Sequence, residues 1–412
     1  MRSALASIAL SGSVAAASLL AAPTARALDD GTSVDGDCAD GRSVEHAFDS
    51  GAAWSLCARV DDVHGLELRD VRYRAPGDSA RTVLRSLHVA QLLVHWHDTP
   101  SPERRLGGST PATRGLGGAA TLALDPASCA GTRLALTDEL DAPSTLCTRE
   151  RASGLLAKYA RRPALHAERW ELFAIARQGL LTWRIGAALT EDGQIVPSVA
   201  LSGRAERTGD DARFGTAIGG DDAALYLTRA TLLATWRLRF ALDTPATDRV
   251  EELDFALAGA GDNRRPMQVR GFDTEVFRPV APVRFRGWRV VDPSSGSAYT
   301  LDPLDSARRW NAPGGDWARF ALALTRARDC ERHAEANATV GRERPAPEAC
   351  GDGLDEFVDG ESLDGADPVL WFSNTRLWTP RREDLPFLSS TVLEMRITPF
   401  DWTASSPFES AE

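Results

Sequence analysis

Short runs in which apolar and polar residues alternate, separated by turn-forming residues, recur along almost the whole chain. The longest lies within 232–243, where the apolar members of one face are Leu232, Ala234, Trp236, Leu238, Phe240 and Leu242. A period of two is typical of a strand with one buried face, and the 3.6-residue period of long helices is nearly absent. We therefore predict an all-β fold, a large antiparallel β-sandwich with few short helices.

Three local patterns refine this prediction. In Gly65–Tyr73 the apolar positions change phase at Asp70, which indicates a β-bulge. Glu191, Asp192 and Gly193 lie between two alternating runs and predict a tight hairpin turn. The stretch 326–337 predicts a brief helix.

The N-terminus has the composition of a secretory signal peptide. Arg2 precedes an apolar run from Ile8 to Ala22, and Ala25-Arg26-Ala27 forms a small-x-small cleavage signal. We predict a signal peptide over 1–27 and a single mature domain over 28–412, exported to the periplasm or the cell exterior. The alternative is an anchoring helix, but the run is short and Ser-rich; no later stretch is long and apolar enough to span a membrane.

The charge balance excludes two classes of partner. The chain of 412 residues has a formal net charge of −11 and a pI near 5.3. It therefore lacks the basic surface that binds nucleic acid or anionic membranes.

Six cysteines in an exported chain predict three disulfides. Neighbours in the sequence form three pairs: Cys38 with Cys57, Cys129 with Cys147, and Cys330 with Cys350. Six cysteines allow many other connectivities, so local pairing is a hypothesis. Metal ligation is the alternative, although no pair has C-x-x-C spacing.

The C-terminal stretch Asp367–Trp402 has the most distinctive sequence. An apolar run, Val369–Phe372, is followed by a turn with Pro380 and Pro386, and then by alternation of Leu393, Met395 and Ile397 with polar residues. This pattern predicts a half-buried antiparallel hairpin.

The stretch resembles the C-terminal end of the copper amine oxidase catalytic domain, in which a D-x-V-L-W-Y strand leads to a histidine and P-R-x-E-D-x-P. Further segments similar to that family follow in order and span most of the mature chain: Gly65–Tyr73, Arg81–Leu87, Gly115–Gly117, Asp192–Ile195, Phe240–Asp243 and Gly353–Phe357. Cys129 and Cys147 also lie where the family has its disulfide. The resemblance implies a large β-sandwich (supersandwich) and a homodimer.

The resemblance also implies a chemistry that this chain lacks the residues to perform. The family needs a tyrosine that is oxidised to topaquinone, an aspartate base and three copper-ligating histidines. The corresponding positions hold Leu181 for the tyrosine, about Thr110 for the aspartate, and Ala234, Trp236 and Trp378 for the histidines, or Leu377 if the register slips. We therefore expect no topaquinone or copper, and a catalytically inactive homologue that acts as a binding or structural protein with an unknown small-molecule or protein ligand.

The alternative is an active amine oxidase or other metalloenzyme with displaced ligands. His95 and His97 would point to the same side of a strand, a geometry that suits copper or zinc, and Asp98 could add an oxygen. We favour the alternative of two ordinary strand-end histidines with their nitrogens in water or on backbone carbonyls. The dispersed histidines His46, His64, His88, His166 and His333 are interpreted as surface or packing residues.

A calcium site is the remaining possibility. Asp243 and Asp367 match two aspartates of a peripheral calcium site in the family, but Pro245 replaces the third carboxylate. Because hard cations require six or more oxygens, the alternative of solvated strand-end aspartates stays open.

Overall fold

The structure is a computed structural model, and it describes residues 38, 40–100, 103–104, 115–137, 141–159, 164–205, 207–218, 225–243, 248–256, 264–303, 316–334, 351, 353–404 and 406–408. All of them fall within one compact unit, Val34–Glu412. The predicted cleavage point near residue 27 lies outside the described residues and stays a prediction.

Strands make up most of the described chain. They are β1 (Arg42–Ala47), β2 (Ala53–Asp61), β3 (Gly65–Arg74), β4 (Arg81–Trp96), β5 (Glu103–Arg104), β6 (Thr132–Ala135), β7 (Ser144–Ala157), β8 (Leu165–Gln178), β9 (Leu181–Thr190), β10 (Ile195–Arg204), β11 (Thr208–Gly209), β12 (Gly215–Ala217), β13 (Tyr226–Thr228), β14 (Ala230–Phe240), β15 (Arg249–Phe255), β16 (Met267–Gly271), β17 (Val276–Arg278), β18 (Gly287–Val291), β19 (Ala298–Asp302), β20 (Leu322–Arg326), β21 (Pro368–Trp378), β22 (Phe387–Glu394) and β23 (Arg396–Phe400). One short α-helix, α1 (Leu354–Phe357), and 3₁₀ turns at Gly118–Ala120, Pro282–Arg284, Asp316–Arg319 and Arg382–Asp384 complete the elements.

The strands form two large sheets and one small one. A nine-stranded sheet has the order β1-β2-β3-β4-β14-β21-β20-β17, with β5 beside β4. An eleven-stranded sheet has the order β16-β15-β18-β19-β23-β10-β9-β8-β7-β6, with β22 also paired to β10, and β11-β13-β12 form the third. The strand pairs in both large sheets are antiparallel, for example β14 with β4 and β10 with β9. The predicted all-β sandwich is therefore confirmed.

The two large sheets share one apolar core. Alternate residues of β14, such as Leu232 and Trp236, join alternate residues of β9, such as Trp183, in a single buried cluster. Hydrogen bonds also link the sheets, because the Trp54 indole donates to the carbonyl of Thr190 at 2.8 Å. Since β14 lies in the middle of its sheet, its inward face is far from solvent.

A second, smaller core lies on the opposite face of the nine-stranded sheet. Leu233 and Trp371 belong to it, and they alternate along β14 and β21 with residues of the main core. Residues of α1 and of the Asp316–Arg319 turn cover this face. Both faces of the central strands are therefore buried, which explains why the apolar run on β21 is continuous rather than alternating.

The predicted bulge and the predicted tight turn are confirmed, whereas the predicted helix and the predicted C-terminal hairpin are wrong. Asp70 has a positive φ of 49°, and β3 carries an extra residue opposite β2 at this point, as a bulge requires. Leu189 pairs with Ile195 around the predicted turn, where Gly193 has φ of 87°. The described part of the predicted helix, 326–334, contains no helical residue.

The predicted C-terminal hairpin is the second error. β21 lies in the nine-stranded sheet, whereas β22 and β23 pair with β10 and β19 in the other sheet. The turn after Trp378 thus carries the chain between sheets, and a side-chain hydrogen bond from Asn374 to the carbonyl of Glu394 at 2.7 Å connects the two sides. Local alternation does not distinguish a hairpin from such a crossing.

Two disulfides confirm the predicted local pairing. Cys38 bonds to Cys57, and Cys129 bonds to Cys147. The third predicted pair joins Cys330 to Cys350, which lies outside the described residues, so that pairing stays a prediction. In the part of the chain that the structure describes, no helix has the length and apolar character needed to span a membrane.

Candidate functional site

The residues predicted at the quinone and copper positions lie in the main core. Leu181 begins β9 in one sheet, while Ala234 and Trp236 lie on β14 in the other. The exposed fraction is 0% for Leu181, 0% for Ala234, 1% for Trp236 and 6% for Trp378. All four belong to the same apolar cluster.

The two candidates for the copper position on β21 face opposite sides of the strand. Trp378 pairs with Ala230 on β14 and packs its ring against Trp96, with ring centroids 6.1 Å apart and planes at 82°. Leu377 points the other way and is 40% exposed. Of the two, Trp378 is the residue whose side chain enters the core.

The chemistry of these side chains does not fit copper or a quinone. Leucine and alanine have no donor atom, and an indole nitrogen donates its hydrogen but offers no lone pair to a cation. The indole nitrogen of Trp236 is buried and has no hydrogen-bond acceptor among the described residues. A metal would therefore meet only apolar groups and an N–H donor at these positions.

The predicted position of the catalytic base cannot be placed. Thr110 lies outside the described residues.

His95 and His97 lie side by side, as the strand pattern predicts. Their ring centroids are 5.9 Å apart. His95 Nε2 contacts the carbonyl of Thr99 at 3.0 Å, and His97 Nε2 contacts Thr231 Oγ1 at 2.9 Å. Asp98, the predicted third ligand, forms a salt bridge with Arg207 at 2.8 Å. Among the described residues, His95, His97 and Asp98 therefore do not form a group of ligand atoms close enough together to hold a metal.

The pKa of His97 favours a neutral ring. Partial burial lowers it, and the neighbouring charges of His95 and Arg229 lower it further. A neutral imidazole can bind a metal through one nitrogen, so these two residues stay weak candidates for a metal site.

The predicted calcium aspartates are each paired with arginine. Asp243 accepts hydrogen bonds from the Arg81 guanidinium and from Ser295. Asp367 accepts from Arg239 Nε at 2.7 Å. Arginine thus supplies the positive charge at both carboxylates, and the two do not form a group that could hold a cation among the described residues.

A different set of carboxylates does form such a group, and the sequence did not predict it. One oxygen each of Glu275, Asp359 and Glu361 lie within 4.8 Å of one another. Glu275 is buried, Glu361 is half-buried and Asp359 is exposed. Glu361 also pairs with Arg328 at 2.6 Å, and the oxygens of Glu275 accept hydrogen bonds from Arg326 N and Asp359 N. Arginine therefore supplies positive charge here too, as at the two aspartates above. Burial, followed by the nearby Asp359 carboxylate, raises the pKa of Glu275.

Three histidines that the sequence analysis treated as dispersed form a cluster, which corrects that interpretation. His64 follows β2, His88 lies on β4 and His333 lies in the segment after β20. The ring of His64 lies between the other two, with centroid distances of 4.6 Å to His88 and 4.7 Å to His333. Because 269 residues separate His64 from His333 in the sequence, no local pattern could predict this contact.

Comparison with known proteins agrees with this fold. Residues 283–411 match the family profile described as copper amine oxidase, enzyme domain. No curated protein sequence matches the chain.

Solved structures of three oxidases have a similar fold. A copper-containing benzylamine oxidase from Hansenula polymorpha has 18% identity and a TM-score of 0.68, covering 87% of this chain and 60% of its own. An amine oxidase from Aspergillus nidulans has 18% identity and a TM-score of 0.69, covering 87% and 52%. A lysyl oxidase from Pichia pastoris has 16% identity and a TM-score of 0.65, covering 86% and 52%. The chain thus spans between 52% and 60% of the length of these oxidases.

The fold comparison and the family profile point to the same class of protein domain. The chain has the fold of the copper amine oxidase enzyme domain, and its C-terminal part matches that domain in sequence. The chain therefore resembles copper amine oxidases in fold over most of its length and in sequence over residues 283–411, as the sequence motifs predicted.

Proposed function

We propose that this protein is a catalytically inactive member of the copper amine oxidase family and acts as a binding or structural protein. The observation that carries the proposal is the burial of Leu181, Ala234, Trp236 and Trp378 in one apolar core. These are the positions at which the family resemblance requires a tyrosine and three histidines. Four coordinated apolar replacements remove both the precursor of the quinone and the ligands of the metal.

Packing energy supports the same proposal. Burying a large apolar side chain contributes roughly 1.5–3 kcal/mol, and aromatic pairs such as Trp96 and Trp378 add about 0.5–1.5 kcal/mol. The indoles therefore stabilise the sandwich at positions where copper ligands would need buried polar surroundings. A site that once required desolvated imidazoles has become part of the core.

The competing function is a metalloenzyme that uses displaced ligands. His95 and His97 are its basis, because their rings are neighbours and both are partly accessible. The contacts with Thr99 and Thr231 satisfy one nitrogen of each ring without a metal. Ordinary strand-end histidines explain this geometry.

Metal analysis of the purified protein separates the two functions. We expect substoichiometric copper and zinc in the wild type and no change in His97→Ala. The matched control is His166→Ala, because His166 is an exposed histidine elsewhere. Stoichiometric metal in the wild type that is lost only in His97→Ala would establish the metalloenzyme instead.

Export and dimerisation are further parts of the proposal. The two disulfides support an oxidising compartment, the periplasm or the cell exterior. The family resemblance supports a homodimer. The ligand would be a small molecule or a protein, and thermal shift against a panel of amines tests whether amine recognition persists without chemistry.

A further inference from the structure

The histidine cluster of His64, His88 and His333 joins a surface segment to the buried face of the nine-stranded sheet. His64 Nδ1 contacts Asp61 Oδ1 at 2.8 Å, and His64 Nε2 faces His333 Nδ1 at 3.2 Å. His88 is 3% exposed, and both of its ring nitrogens lack a hydrogen-bond partner among the described residues. The nearest carboxylate oxygen, Glu67 Oε1, lies 4.0 Å from His88 Nδ1, which is beyond hydrogen-bond distance.

The charged groups around the cluster are three arginines and three carboxylates, which balance only while all three carboxylates are ionised. They come from every element packed against it, namely Arg59 and Asp61 of β2, Glu67 of β3, Arg237 of β14, and Glu331 and Arg332 of the segment after β20. Glu67 pairs with Arg59 at 2.6 Å. Arg332 contacts Asp61 at 3.2 Å.

Arg237 adds a buried charge that these pairs do not neutralise. No carboxylate of the described chain lies within salt-bridge distance of it; its guanidinium donates to the carbonyl of Arg328 at 3.3 Å and lies over the Trp371 ring. Glu331 faces it, but burial raises the pKa of Glu331 to about 7, so this carboxyl is partly neutral. Protons added to the histidines would therefore enter a region that is already cationic.

The segment that carries His333 closes the second core. Ala334 is fully buried in that core beside residues such as Trp371 and Phe357, and its carbonyl accepts a hydrogen bond from Leu354 N at 2.9 Å. The segment 327–334 has no helix or strand of its own. Its position depends on backbone hydrogen bonds at its two ends, Ala327 N to Asp367 O and Leu354 N to Ala334 O, and on side-chain contacts such as the stacking of His333 on His64.

We propose that the histidine cluster is an acid-sensitive latch, which holds segment 327–334 on the nine-stranded sheet while the rings are neutral and releases it when they are protonated. Release would expose the apolar face that contains Trp371 and Ala334. The latch is independent of the proposed loss of catalysis.

The direction of the histidine contribution follows from the burial of the rings. Burial lowers the pKa of His64, against the favourable charge of Asp61, and lowers the pKa of His88 well below its usual value, with His64 and Arg237 adding to the effect. Each histidine therefore stabilises the closed segment fully above about pH 6.5, the ordinary pKa. This contribution is lost as the pH falls below that value towards the closed-state pKa. A tenfold difference between the acid constants of the open and closed states changes the opening equilibrium by up to about tenfold. Glu331 of the same segment acts in the opposite direction, because burial raises its pKa to about 7 and its contribution to the closed state is lost as the pH rises through that value.

Hydrogen exchange of the full-length protein tests the latch. Protection of amides in 327–334, corrected for intrinsic exchange rates, is measured at about pH 7.5 and about pH 5.0, a range that spans the usual histidine pKa. In the background Glu331→Gln, which removes the opposing titration, we expect protection to fall by about tenfold or more at the lower pH, with amides of β9 unchanged. His88→Gln and the more exposed His333→Gln should each reduce this dependence, and the exposed control His166→Gln should keep it.

Two outcomes would overturn the proposal. Equal protection of 327–334 at both pH values in Glu331→Gln would show that the cluster only packs. Protection at neutral pH that disappears with EDTA and returns with zinc would assign His64 and His333 to a metal site instead. If His88→Gln does not fold, His333→Gln alone decides between these results.

Discussion

Replacement of Trp236 by alanine is expected to lower the free energy of unfolding by about 3–5 kcal/mol. The indole is 1% exposed in the middle of the nine-stranded sheet, and no neighbouring strand can move to fill the space that it leaves. Trp378→Ala should have a similar but smaller effect, because Trp378 lies at the end of β21. Urea unfolding followed by far-ultraviolet circular dichroism measures both changes.

Leu377→Ala is the matched control for this series. Its side chain lies next to Trp378 in the sequence but is 40% exposed on the other side of the strand. Its replacement should change stability by less than about 0.5–1 kcal/mol. If Trp236→Ala also cost less than about 1 kcal/mol, the position would not be packed core and the replacement of the site by core would be wrong.

Removal of the disulfide between Cys129 and Cys147 is expected to have the next largest effect. The two cysteines are 18 residues apart, and closing a loop of this length contributes about 3 kcal/mol through the entropy of the unfolded chain. Both sulfur atoms also lie in a small apolar cluster with Phe173. The double variant Cys129→Ala/Cys147→Ala, measured by the same urea unfolding, should be destabilised by about that amount.

The second disulfide provides the comparison for this prediction. Cys38 and Cys57 are 19 residues apart, so the entropic effect of losing this bond should be nearly equal. The two double variants should therefore differ by less than about 1 kcal/mol, within the scatter of such measurements. A loss confined to one of them would mean that local packing, rather than loop closure, determines the stabilisation.

Much of the fold could be predicted because the relevant information is local. The alternation along β14 identified Ala234 and Trp236 as inward-facing, and the phase change at Asp70 identified the bulge. Which strands belong to the same sheet could not be predicted in this way. β21 and β22 each have the pattern of a half-buried or buried strand, and only contacts with β14 and β10 place them in different sheets.

The candidate sites also divide into those that a local sequence motif reveals and those that only long-range contacts form. The absence of a tyrosine at Leu181 and of histidines on β14 follows from the order of the family motifs. The contacts of His64 with His333, and of Glu275 with Asp359, join segments far apart in the sequence. Single histidines and glutamates carry no periodic signal, so their clusters are visible only in the folded chain.

The central claim is that apolar packing has replaced the copper and quinone chemistry of the family. Its most direct test is an absorbance scan of the purified protein after incubation with copper in air, before and after addition of phenylhydrazine, together with the copper content after dialysis. We predict no quinone band, no phenylhydrazine adduct and less than stoichiometric copper. A stoichiometric copper content with a phenylhydrazine-reactive band would contradict the account.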